Sequence, residues 1–188
     1  MRRLPRLIVL AAGLACALVA AGCGNRIETR TQGQTEGLYL DVDELKYQIQ
    51  ESRYINANDV EDRTYLEGLP QGTQQPAADE TWFGIWMRVS NSTDKPIAPA
   101  NDFEIIDTQN NVYRPVPLDT NINPFAYRPD PIPPNGLIPT PDSVASDGPI
   151  QGSLILFKIK TGSLQNRPLE LRFRRGGTGT TGTVDLDV

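Results

Sequence analysis

The stretch Thr81–Asn91, TWFGIWMRVSN, decides how the rest of the chain is read. Phe83, Ile85, Met87 and Val89 recur at every second position, the period at which a strand presents one face, so this is a core strand. Trp82 and Trp86 fall on the opposite face, with Gly84 between them. Gly152–Lys160, GSLILFKIK, repeats the pattern with Ile155, Phe157 and Ile159 on one side. Further on, Leu169, Leu171 and Phe173 alternate with Glu170, Arg172 and Arg174, and Val184, Leu186 and Val188 alternate with acids. Both segments read as half-buried strands.

On the amino-terminal side, Leu38, Leu40 and Val42 alternate with polar residues, and the alternation resumes at Leu45, Tyr47 and Ile49. Two short strands fit, as does one strand bulged near Glu44. Asn58 to Gly68 reads as a short helix, with Asn58 as cap, Glu61 at the capping-box position and Gly68 as terminator. Gln71 to Ala78 is a Gln, Gly and Pro loop. Asn91 to Pro96 carries turn chemistry. Phe103–Ile106 and Val112–Val116 flank the polar stretch Asp107 to Asn111, a hairpin pattern with Pro115 at its edge. Ten of the chain's 16 prolines lie between Pro115 and Pro149. That density leaves few backbone ladders and predicts a long ordered loop, pinned by Phe125 and Tyr127. Six to eight short strands with one minor helix predict an all-β antiparallel sandwich spanning residues 38–188.

The chain's start has a different character. Arg2, Arg3 and Arg6 precede fifteen uncharged residues, Leu7 to Ala21, the layout of a secretory signal and too short for a membrane-spanning helix. The run ends in Ala20-Ala21-Gly22-Cys23, which resembles the lipobox of bacterial lipoproteins, with Ala20 where leucine is usual. Residues 1–22 are therefore expected to be a cleaved lipoprotein signal, and Cys23 the lipidation site. Acyl chains contribute about 0.8 kcal/mol per buried methylene, so two or three hold firmly where one does not. Residues 23–37 read as lipidated cysteine and flexible tether. Localisation is then the outer side of a membrane, and Gly24 after the cysteine implies outer-membrane sorting in a two-membrane cell.

Composition removes whole classes of chemistry. Losing residues 1–22 takes three arginines away and moves the net charge from −5 to −8. An acidic domain is a poor partner for nucleic acid. Cys16 leaves with the signal and Cys23 is the anchor, so the remaining domain has neither disulfide nor thiol nucleophile. Histidine is absent, which excludes Ser-His-Asp and Cys-His catalysis and His-based metal sites. Asp41, Asp43 and Glu44 lack EF-hand spacing and read as a solvated strand face. Paired carboxylates remain as the route to an enzyme. No cofactor, metal or catalytic residue is expected.

Three strand endings carry a family resemblance. They are Val89-Ser90-Asn91-Ser92-Thr93-Asp94-Lys95-Pro96, then Phe103-Glu104-Ile105-Ile106-Asp107 leading to Val112-Tyr113, then Gly152-Ser153-Leu154-Ile155-Leu156-Phe157. Their order resembles a family of immunoglobulin-like domains of unknown function on secreted and lipid-anchored Gram-positive, actinobacterial proteins. The small secreted immunogenic antigens of mycobacteria are kin of that family. The resemblance implies an immunoglobulin-like sandwich with no established active site. The helical insertion and the long proline-rich loop depart from it. The expected function is a lipid-anchored, non-enzymatic interaction module of the cell envelope with a protein partner. The alternative is a module binding cell-wall glycan or a small ligand through Trp82, Trp86, Phe125 and Tyr127. Burial separates the two: indoles flanking a groove stack on a ligand, and buried indoles pack.

Overall fold

Both faces of the strand that includes Thr81–Asn91 are buried, and this sets the architecture. The computed structural model describes residues 30–176 and 179–188. The leader, Cys23 and the start of the tether lie outside the described residues. The strands are β1 (Gln32–Gly33), β2 (Tyr39–Val42), β3 (Leu45–Ile55), β4 (Glu80–Asn91), β5 (Asp102–Ile106), β6 (Val112–Tyr113), β7 (Leu137–Ile138), β8 (Ser153–Lys160), β9 (Leu169–Arg174) and β10 (Gly182–Leu186). They form a front sheet in the order β1-β10-β9-β5-β6 and a back sheet in the order β2-β3-β4-β7, with β8 also paired to β4. With β4 between β3 and β8, and β9 between β5 and β10, the order is that of an immunoglobulin-type sandwich.

The main core lies between the sheets. Phe83, Ile85, Met87 and Val89 of β4 meet Ile105, Leu171, Phe173 and Val184 of the front sheet. Tyr47 packs on Phe173 with ring centroids 4.8 Å apart, and its hydroxyl accepts the Ala100 N–H at 2.9 Å. Gly182 stands opposite Phe173 in the ladder, and a Cβ there would collide with the Phe173 ring. The aromatic ring thus covers bare backbone on the neighbouring strand.

A further layer covers the outside of the back sheet. The ladder between β3 and β4 slips by one residue between Ile49 and Glu51, a bulge that turns the following side chains to the other face. Leu45, Tyr47 and Ile49 therefore point into the main core, while Ile55 joins Trp82, Trp86, Leu154 and Leu156 on the outside. The inserted segment and the proline-rich loop close over this second cluster with Tyr65, Leu69, Val116, Leu118 and Phe125. The loop is ordered against β8: Val116 N–H donates to Leu156 O at 2.7 Å, and Tyr127 N–H to Leu154 O at 2.8 Å. Pro115, with no N–H to offer, sits at this edge as expected.

Three sequence expectations are corrected. The tether does not run to residue 37: Gln32–Gly33 pairs in parallel with Thr183–Val184. Thr35 Oγ1 and Glu36 N–H both donate to the Asp187 carboxylate. These polar residues carry no hydrophobic period, because β1 is only two residues long and lies at a sheet edge. The inserted helix is a 3-10 helix, Asp62–Leu66, and Asp59 rather than Asn58 receives its first N–H groups. Inside the proline-rich loop lies an unexpected turn of helix, α1 (Val144–Asp147), closed by a Ser143–Ser146 capping box. The open choice near Glu44 resolves as two strands joined by a two-residue turn. Asp43 and Glu44 both have positive φ, at 49° and 70°, the geometry of a type I′ hairpin.

Candidate functional site

The indoles do not face a ligand. Trp82 is 1 % exposed and Trp86 is fully buried. Trp86 lies across Gly84, where a Cβ would come within 2.7 Å of the ring. Its other side meets Tyr65 edge-on at 5.0 Å, and the Arg53 guanidinium sits 5.2 Å from its centroid. That guanidinium is held by Asp62 through two hydrogen bonds, of 2.6 and 3.1 Å. Bonding to Asp62 pushes the Arg53 pKa up, and the same bond holds Asp62 below the usual carboxylate range. The pair fixes the 3-10 helix over the indole.

Phe125 belongs to the same layer, 4.9 Å from Tyr65. Tyr127 packs on Phe103 at 5.3 Å and donates its hydroxyl proton to Ala100 O at 2.9 Å; burial pushes its pKa well up. The four aromatic ligand-binding candidates are thus split between two cores, and Trp82 and Trp86 pack under the added layer instead of forming the glycan-stacking platform of the alternative reading. The physical reason is the added layer, whose apolar side chains need a partner surface and find it in the indoles.

The acids around the β2–β3 turn are engaged one by one. Asp41 pairs with Lys46 at 3.2 Å and Glu44 with Lys95 at 3.1 Å, while Asp43 accepts the Thr180 N–H at 3.0 Å. Glu36 is the carboxylate with a raised pKa near a second acid, through burial, with bonds from Ser52 opposing the rise. Its two oxygens accept the Ser52 N–H and hydroxyl and the Asp187 N–H. This clamp fastens β1 to β3 and to the end of β10.

Asp107 organises the β5–β6 hairpin. It accepts the Gln109 and Asn111 N–H groups at 2.9 Å each, and the amides of Asn111 and Asn166 at 2.8 and 3.1 Å. Burial raises its pKa, but the hydrogen bonds from Asn111, Ser163 and Asn166 outweigh that and hold it far below the usual range. A depressed carboxylate stabilises the fold fully above its unfolded pKa of about 3.9, and the contribution fades as pH falls below that value. Asp107→Asn turns an NH2 group toward the donors and should cost about 2 kcal/mol at neutral pH. Urea titrations from neutral pH to below pH 4 should show this loss, with less further destabilisation on acidification than in the parent.

The front sheet presents a different surface. Its outer face is not covered by any described segment, and a shallow hollow of about 560 Å3 lies over it. Strand register sets Gln32, Thr183, Arg172 and Glu104 abreast across four strands, with Arg174 and Asp102 abreast in another row. Arg174 bonds Asp102 at 2.6 Å, Arg114 bonds Glu104 at 2.6 Å, and Arg172 turns to Glu170. Asp185 stands directly opposite Glu170 and has no cationic partner among the described residues. Like charges opposite each other on a sheet destabilise it by a fraction of a kcal/mol. The alternation of Glu170, Arg172 and Arg174 marked an outward face in the sequence. That this face is bare, and the other covered, depends on where the insertions fold.

No family model matches the chain, and no curated protein matches it. It is similar in fold to solved β-sandwich structures. One is the yjhA protein of Bacillus subtilis, 12% identical, with 82% of this chain and 99% of that one covered and a TM-score of 0.52. Another is an uncharacterized β-sandwich protein from Clostridium difficile, 10% identical, covering 87% and 99%, with a TM-score of 0.45. A third is ycdA, a proposed lipoprotein of Bacillus subtilis, 13% identical, covering 81% of this chain and 39% of that one, with a TM-score of 0.45. These likenesses concern the fold alone.

Proposed function

We propose that the chain is a lipid-anchored, extracytoplasmic module of the cell envelope, held through Cys23, that acts by protein–protein contact without catalysis. One observation carries the contact reading: the insertions cover the outer face of the back sheet and leave that of the front sheet bare. The bare face mixes signs, with Arg114, Arg172 and Arg174 among Asp102, Glu104, Glu170 and Asp185. Such a patterned surface suits a polypeptide with its own alternating charges better than a uniformly charged polymer. The apposed Asp185 and Glu170 favour a partner that brings a Lys or Arg between them. Glycan binding through the indoles loses its support because both are buried.

The test is in-cell crosslinking with a photoreactive residue at Thr183, in the middle of the bare face, and at Thr64 on the covering layer as control. One recurrent protein adduct at Thr183 and none at Thr64 is the expected result. Equal, diffuse labelling at both positions contradicts it. Asp185→Asn should remove the repulsion and raise stability slightly, while reducing the Thr183 adduct several-fold.

A further inference from the structure

We infer that the domain is held close to the bilayer by one defined end, with the opposite end, beside Tyr54 and Pro76, projecting outward. This rests on lipidation at Cys23, proposed above, and adds the surface that meets the lipid. Because β1 runs parallel to β10, Arg30 lies beside the start of β10. Its carbonyl accepts the Asp41 N–H at 2.7 Å. The same end carries the Asp43–Glu44 turn, bonded to Thr180, and the connection after Asn91, whose Lys95 reaches Glu44 at 3.1 Å. The Glu36 clamp to Ser52 and Asp187 keeps the segment after Arg30 fastened to the sandwich.

Seven residue steps separate Cys23 from Arg30. At about 3.6 Å each, the anchor lies within roughly 25 Å of this end. The 12 residues of β4 span about 40 Å, from Asn91 at the anchored end to Glu80 at the far one. The exposed Tyr54, the turn bearing Val60 and the hollow beside Tyr54 and Pro76 lie toward the far end. Among the described residues of this end, Lys95 is paired with Glu44 and Arg175 lies 4.0 Å from Asp43, and the exposed Arg30 stands at the root of the tether. The seven-residue spacing keeps this end near the bilayer. The bare front face stands to the side, accessible to a partner in the plane of the membrane or above it.

The experiment expresses the full chain in a bacterial host that processes lipoproteins, with photoreactive p-benzoylphenylalanine at Asp94 or at Val60. Adducts to membrane lipid are measured by mass spectrometry, and labelled palmitate reports lipidation of each variant. Lipid adducts at Asp94 at least several-fold above those at Val60 are expected. Inserting a Gly-Ser stretch of about 12 residues before Arg30 should erase the difference. Palmitate incorporation with equal adducts at both positions, without the insert, would overturn the orientation and leave the anchor intact. No palmitate incorporation would instead overturn the anchoring on which the orientation depends.

Discussion

Trp86→Ala lowers stability by about 3–5 kcal/mol, the cost of emptying a large aromatic site in a packed core. The side chain is fully buried and serves both the back sheet and the layer above it. Its ring shields the Gly84 backbone, supports Tyr65 at 5.0 Å and lies under the Arg53 guanidinium. Gly152, where a Cβ would come within 2.9 Å of the Trp86 backbone, leaves little room for a shift that refills the space. For a domain of this size the loss corresponds to a fall in Tm on the order of 10 °C. Trp86→Phe should cost far less, because the indole Nε1 is buried without a hydrogen-bond partner among the described residues, so no bond is lost. Thermal melts of the two variants test this; equal, small shifts would mean that the layer is not packed on the indole.

Asn123→Ala is the second large effect, about 3 kcal/mol. This side chain is 1 % exposed, and its amide donates to Tyr65 O at 3.0 Å and Glu67 O at 2.9 Å. Its Oδ1 accepts the Phe125 N–H at 2.9 Å. One residue of the proline-rich loop therefore satisfies the end of the 3-10 helix and its own backbone together. Alanine takes the partner from the buried Tyr65 carbonyl and from the partly buried Glu67 carbonyl and Phe125 N–H. Aspartate is worse, because it sets a carboxylate oxygen against two carbonyls. The combination with Trp86→Ala should cost less than the sum, since both loosen the same layer. Hydrogen exchange should accelerate in residues 62–69 and 116–127, with β5, β9 and β10 unchanged. Uniform acceleration would mean that the layer does not open separately.

How much of this was legible in the sequence differs by element. Strands that bury a face announced themselves: β4, β8, β9 and β10 carry the period-two pattern that burial imposes. β4 also placed Trp82 and Trp86 outside the main core, a position that favoured packing under the insertion or the proline-rich loop over stacking on a ligand. The choice depended on the insertion and the proline-rich loop, whose fold follows from contacts such as Asn123 to Tyr65, between residues 58 positions apart. β1 had no signal, because Gln32 and Gly33 bury almost no apolar surface and are held by backbone pairing to β10. The short helix α1 did have one, the serine pair Ser143 and Ser146, but the surrounding prolines masked it. The polar side of β9 was visible, whereas its alignment with Asp102, Glu104 and Asp185 required the strand register. Residues that act singly were thus readable, and the surface they build together was not.

The proposed anchoring is tested most directly at Cys23. Cells expressing the parent chain and Cys23→Ala should be grown with labelled palmitate and separated into membrane and soluble fractions. Label in the parent protein, residence in the membrane fraction, and loss of both in the variant is the predicted result. An unlabelled parent chain, or a Cys23→Ala chain that remains in the membrane fraction, would contradict the account.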